Sequence, residues 1–333
     1  MSPVAREARP RLSTIQAPVH EDLERVSDEI RRIVMADFTL IGEVNDHLLL
    51  MQGKLFRPTL LLLSSRVGGA PSRDVLTLAA VVELVHLATL VHDDAVDHSV
   101  LRRGLPTVNA LWTHQVAIIM GDYLYSRGVT ELARLGNLEA LVVLAQAANE
   151  MSVGEMRQLL SYDALDFTED DYYRLIAAKT ASLMSAACEM GALAGVAANA
   201  RRPLARYGHN LGMAFQIADD LLDYTGSEAV TGKPTGHDLR ERKVTLPLVG
   251  AMARASAAET EEIRRFFTRV EPNDEEIARI IQIAEERRGL DYARARARDY
   301  ADLAEAALAD LDADGPAVDA LRDAVSYAVD RSR

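Results

Sequence analysis

Two aspartate clusters of one design stand far apart in this chain, Asp93-Asp94-Ala95-Val96-Asp97 and Asp219-Asp220-Leu221-Leu222-Asp223. Each reads DDxxD and lies in a stretch with helical periodicity. On a helix the first and fifth residues share a face, so each motif presents a carboxylate pair in one direction. Carboxylates held that close repel one another. Two such pairs make sense if they face each other across a cleft and share divalent cations. Oxygen ligands of this kind suit Mg²⁺, which takes few carboxylates, keeps waters and fills its shell from substrate phosphates. The chemistry implied is a Mg²⁺–diphosphate site. A lone DDxxD on a helix is more often a solvated acidic face, so the neighbours of both motifs decide between the two.

Those neighbours are cations. Arg102-Arg103-Gly104 follows the first motif, Gly53-Lys54-Leu55-Phe56-Arg57-Pro58 precedes it, and His86 lies two helical turns before Asp93. Phe215-Gln216 precedes the second motif, Lys233 and Lys243 follow it, and Lys179-Thr180 adds a further cation and hydroxyl. The guanidinium fork binds phosphate oxygens bidentately. Taken singly, His86 fits a core histidine and Lys233 and Lys243 fit solvated charges. The chain has 50 acidic and 37 basic residues and a formal charge of -13. That balance opposes general nucleic-acid binding. An acidic chain that places cations beside its acidic clusters fits a polyanion held by metals and cations together.

The elements that must position these residues are helices. The 333 residues are 49% hydrophobic but only 5% aromatic. Ala and Leu dominate, which favours helix over sheet. Amphipathic or apolar helical stretches run over about 21–35, 38–53, 58–67 and 72–97. Others cover 108–134, 138–162, a span entered at an N-cap on Thr168 and passing Lys179, and one from about 206 that the second motif ends. The segment 102–106 reads as a loop. So does 225–236, with three glycines and Pro234. Residues 245–333 read as charged amphipathic helix. No alternating strand signal is present. Residues 1–19 read as a loose arm, and 20–333 as one all-α domain. No apolar run approaches the roughly 20 residues that span a bilayer. The single cysteine, Cys188, excludes an internal disulfide and fits a reducing, cytoplasmic location.

The chain resembles the trans-type isoprenyl (polyprenyl) diphosphate synthases. The matching pieces are GKLFRP at 53–58, HLATLVHDDAVD at 86–97, RRGLPTVN at 102–109, GDYLY at 121–125, GEMRQL at 154–159, KTASL at 179–183, GMAFQIADDLLD at 212–223, GKPTGHDL at 232–239 and KVTLPL at 243–248. The resemblance implies a helical bundle of the isoprenoid-synthase type with a large central cavity. It implies isopentenyl diphosphate and an allylic diphosphate as substrates, and three Mg²⁺ per active site. Lys54, Arg57, His86 and Arg103 would bind the diphosphate of isopentenyl diphosphate. Arg102 would bind the allylic diphosphate, with Lys179, Gln216, Lys233 and Lys243 around it. Asp93, Asp97 and Asp219 would be the principal metal ligands, supported by Asp94, Asp220 and Asp223. The backbone region of Lys179 and Thr180, with Gln216, would steady the allylic cation. His98 and Arg242 depart from the family pattern, and neither replaces a ligand.

Short-chain members block the product tunnel with bulky residues four and five positions before the first motif. Here those positions hold Thr89 and Ala88. Their small size leaves the way open, so the expected product is longer than about C20, about C30 to C50. The ATLVHDD run also resembles bacterial long-chain synthases. A C15–C20 product, or a non-catalytic subunit of a heteromeric synthase, is the alternative. The resemblance, with the abundance of apolar helix surface, implies a homodimer, and a lipidic product suggests transient membrane contact for its release.

Overall fold

Val75–Val96 forms a single helix that is apolar nearly all round, and such a helix has no face to offer water. It becomes the centre of the molecule. The computed structural model describes residues 10–51, 53–160, 166–226, 235–269 and 271–330. Before the central helix come α1 (Leu12–Gln16), a 3-10 turn (Ala17–Val19), α2 (His20–Val34), α3 (Thr39–Leu50) and α4 (Phe56–Ser65). The central helix is α5. After it come α6 (Val108–Leu111), α7 (His114–Leu135), α8 (Leu138–Leu160), α9 (Glu169–Ile176), α10 (Ser182–Ala194) and α11 (Arg201–Thr225). Six further helices complete the described chain: His237–Arg240, Leu246–Met252, Ala257–Thr268, Asp274–Glu286, Gly289–Ala309 and Pro316–Val329.

Helix α5 packs against α2, α4, α7 and α10, and α11 packs against α10 and the helix Gly289–Ala309. The two aspartate motifs therefore sit at the C-terminal ends of two interior helices. By length and composition α5 could cross a bilayer, which corrects the expectation that no segment could. Most of it is enclosed by other helices, so its apolarity is that of a core.

Several expectations are amended by the structure. The single helix expected over 108–134 is two helices, broken at Trp112. Thr113 caps the second by accepting from the Val116 amide at 3.1 Å. The loop expected at 102–106 is a two-stranded hairpin pairing Leu101 with Pro106 and Arg102 with Leu105. Its two central residues, Arg103 and Gly104, have φ of +53° and +78°. Positive φ at both positions is the turn that matches strand twist, and glycine takes the second without cost. Residues 12–19 are not a loose arm. They are helical, with Ile15 and Val19 fully buried. Residues 1–9 and most of the expected 225–236 loop lie outside the described residues.

The helix entered at Thr168 begins with the expected cap, a reciprocal pair with Asp171. It then passes through one π-helical turn, Ala177–Ala181, before continuing as α10. The Ser182 amide reaches back five residues to the Ala177 carbonyl, and the Ser182 hydroxyl donates to the Ala178 carbonyl at 2.6 Å. Helix α11 presses against this turn. A Cβ on Gly212 would stand 2.6 Å from Ala181 Cα, so only glycine permits the approach. Lys179 and Thr180 lie within the π turn, a feature that recurs at functional sites.

Candidate active site

The cleft between α4, α5, α10 and α11 encloses about 750 Å³. Lys54, Arg57, His86, Thr89, Asp93, Arg103, Lys179, Thr180, Gln216 and Asp219 all line it. The first aspartate motif and the second are thus joined across one space, with cations between. Arg102, Asp94, Asp97, Asp220, Asp223 and Lys243 stand behind or beside this lining. Lys233 lies outside the described residues.

The six aspartates are held differently. Asp94 is buried and accepts from Arg102 Nε at 2.7 Å and Nη2 at 2.8 Å. Asp220 is buried and accepts from the Tyr172 hydroxyl at 2.6 Å and from Gln216 Nε2 at 2.7 Å. Asp223 accepts the backbone amides of His237 and Asp238, both at 3.0 Å. Asp97 is exposed, 3.8 Å from Lys243 Nζ. Asp219 is exposed at the cleft wall. Asp93 lines the cleft, and burial with the nearby Glu155 charge pushes its carboxyl up to about 6. A carboxyl raised in that way gains from a cation close by. Among the described residues no three His, Cys, Asp or Glu side chains converge into a closed metal cage. Asp93, Asp97 and Asp219 offer carboxylate oxygens, the ligand type that Mg²⁺ takes, and this donor set fits such an ion.

On the other side of the cleft lie Lys54, Arg57, His86 and Arg103. Arg103 is anchored by donating to the Met51 carbonyl at 2.5 Å. Arg57 Nε is buried with no hydrogen-bond partner. Burial and the charges of Arg57, Arg103 and Arg102 hold His86 well below its ordinary value, so the imidazole is neutral. Burial lowers the pKa of Arg57 as well, and Glu83 opposes the shift. An unpartnered guanidinium nitrogen beside a neutral imidazole and two further cations makes this wall one that suits an anion. Glu83, three residues before His86 on the same helix face, was missed by sequence reading. Its spacing to His86 was the available signal.

Lys179 Nζ lies 2.6 Å from Glu155 Oε1 and donates to Gln158 Oε1 at 2.7 Å. Thr180 Oγ1 donates to Gln216 Oε1 at 2.7 Å, which ties the π turn to the second motif through Asp220. Lys243 Nζ lies 2.6 Å from Glu241 Oε2. Burial lowers its pKa, but the Glu241, Asp97 and Asp238 charges raise it to about 12. Asp238 and Glu241 also escaped sequence reading, although Asp238 lies inside the GKPTGHDL stretch. Burial and the Asp223 charge push Asp238 up to about 6.

A second hollow of about 460 Å³ adjoins the cleft, and Thr89, Asp93, Met151 and Lys179 line both. Ala88 and Val85 line its wall on α5, and Ala145 and Ala148 line it on α8. Thr89 thus borders both spaces, and its neighbour Ala88 borders the second.

A model of the polyprenyl synthetase family matches residues 38–284. The chain belongs to that family. As a polyprenyl synthetase it is a prenyltransferase. It is 36% identical over 325 residues to an octaprenyl diphosphate synthase of Escherichia coli (strain K12), covering 97% of this chain and 99% of that one. It is 40% identical over 247 residues to heptaprenyl diphosphate synthase component 2 of Geobacillus stearothermophilus, covering 73% of this chain and 76% of that one. Among solved structures, a polyprenyl synthase from Caulobacter crescentus CB15, complexed with calcium and isoprenyl diphosphate, superposes with a TM-score of 0.91. Identity there is 36%, covering 98% of this chain and 99% of that chain. The all-α bundle expected from the sequence is the fold observed.

Proposed function

We propose that the protein condenses isopentenyl diphosphate successively onto an allylic diphosphate, making an all-trans polyprenyl diphosphate of about C30 to C50. One observation carries the reading. Two carboxylate walls and a cation cradle open onto one cleft, and a second hollow adjoins it at Thr89, lined in part by the small or apolar side chains Val85, Ala88, Ala145, Ala148 and Met151. The family relatives with octaprenyl and heptaprenyl products add support.

In this reading Asp93, Asp97 and Asp219 hold Mg²⁺, three ions per site, while Asp94, Asp220 and Asp223 are kept in place by their protein partners. The metal supplies charge stabilisation for the departing diphosphate. Arg102, Lys179, Lys233 and Lys243 neutralise the same diphosphate as the allylic C–O bond breaks. Lys54, Arg57, His86 and Arg103 hold isopentenyl diphosphate with its double bond towards the allylic carbon. Thr180 and Gln216, locked to each other, border the cation and keep water off it. A C–C bond forms, a proton leaves to the released diphosphate, and the lengthened chain slides into the second hollow.

The test is the purified chain with Mg²⁺, radiolabelled isopentenyl diphosphate and an allylic starter. Products longer than about C20 are expected, resolved by chromatography. Products that stop at about C15–C20 would replace the long-chain reading with a medium-chain one. The relation to a component of a two-part synthase favours a second reading, in which the chain acts only with a different partner subunit. Activity of the chain alone opposes it.

A further inference from the structure

We propose that the two ends of the chain clamp the loop carrying Lys54, with Gln16 and Tyr327 as positioning residues for isopentenyl diphosphate. The inference rests on the reading of the cleft as a prenyl diphosphate site.

Lys54 lies in a short irregular segment between α3 and α4, with no helix or sheet to fix it. The next residue, Leu55, has φ +50°, a left-handed conformation that a branched side chain takes only when its surroundings impose it. The N-terminal end of the chain imposes it from one side. Gln16 Nε2 donates to the Lys54 carbonyl at 2.8 Å and to Thr59 Oγ1 at 3.1 Å. Thr59 Oγ1 in turn donates to the Leu55 carbonyl at 2.7 Å. One side chain from α1 therefore anchors two consecutive carbonyls of the loop, one directly and one through Thr59.

The C-terminal end acts from the other side. Tyr327, on the helix Pro316–Val329, places its hydroxyl 3.4 Å from Lys54 Nζ. Its ring lies 5.9 Å from Phe56, and Phe56 stacks on Phe215 at 5.7 Å, immediately before Gln216. Helix α1 packs directly on the C-terminal helix, so the two arms of the clamp touch. Leu12, Lys54, Phe56, Phe215 and Tyr327 all face the cleft.

The physical consequence concerns lysine. Its ammonium rides on a flexible four-carbon stem, and holding it still on binding costs entropy. A hydroxyl already beside the ammonium and a backbone already anchored reduce that cost. The benefit falls on the diphosphate that Lys54 meets, not on the allylic diphosphate held near Arg102.

The experiment compares wild type with Tyr327→Phe, which keeps the ring, and with Gln16→Leu. Isopentenyl diphosphate binding is measured calorimetrically with Mg²⁺ present, and KM is determined for each substrate. Each variant is expected to weaken isopentenyl diphosphate binding about three- to tenfold, with the KM for the allylic diphosphate held within about twofold. A purely structural role would lower the melting temperature and move both KM values together, and that outcome overturns the clamp. Unchanged affinity in Tyr327→Phe overturns it also, even if Gln16→Leu does not fold. A wild-type chain that binds no isopentenyl diphosphate sinks the reading of the cleft and the clamp with it. Normal wild-type binding matched by both variants sinks the clamp alone.

Discussion

Six aspartates that look alike in two motifs are unlike in their surroundings. Asp94, Asp220 and Asp223 spend their oxygens on Arg102, on Tyr172 and Gln216, and on two backbone amides. Asp93 and Asp219 face the cleft. Asp93→Ala and Asp219→Ala are each expected to lower turnover by about 10²–10³-fold or more. Both side chains line the cleft rather than the packed core, so circular dichroism and melting temperature should stay near wild type. Near-normal turnover with Mg²⁺ in either variant would remove the metal-site reading. Ala88 is buried at the wall of the second hollow. Ala88→Phe should narrow that hollow and shorten the product, read by chromatography of the elongation mixture. An unchanged length profile would place the length control elsewhere. The residues in both motifs, and most of the cations, could be read in the sequence because their types and spacing are local. Glu83 could have been found by its spacing to His86. Tyr327 could not, since 273 positions separate it from Lys54 and no local pattern marks it.

At the scale of elements, the π turn at Ala177–Ala181 is what brings Lys179 and Thr180 to the cleft. Its neighbour α11 fits only because position 212 has no side chain. Gly212→Ala would set a methyl group against backbone rather than against a flexible chain end. A cost of about 1–3 kcal/mol is expected from such overpacking, measured by urea unfolding. Because Gln216 lies one turn along the same helix, activity should fall by more than the stability loss alone accounts for. Stability equal to wild type would mean that α11 can retreat from the turn. Helix existence was legible here from periodicity, since α2, α5, α8 and α11 lie where the pattern put them. The break at Trp112, the hairpin at 101–106 and the helical state of 12–19 were not. Each depends on partners distant in sequence or on caps too short to outweigh a continuous helical pattern.

For the whole molecule, one group of exposed apolar side chains lies on two adjacent helices. Ile118 and Ile119 of α7, and Val142, Val153, Met156 and Leu159 of α8, are all more than 40% exposed. Clusters of this kind mark association surfaces. A second copy of the chain is the expected occupant, in a symmetric pair that would cover both helices. Light scattering of the purified protein should give the mass of two chains, against 36.5 kDa for one. A mass of one chain that holds at high concentration would exclude the pair. The helical class, the two acidic motifs and the membership of the polyprenyl synthetase family were legible in the chain alone, because helical periodicity and motif spacing are properties of short segments. What is legible only in the folded molecule is which aspartates are bonded by protein groups and which line the cleft, which side chains meet Lys54, and that a second hollow adjoins the cleft at Thr89. Those outcomes depend on which distant side chains meet, and such meetings are fixed by packing of the whole chain rather than by any segment of it.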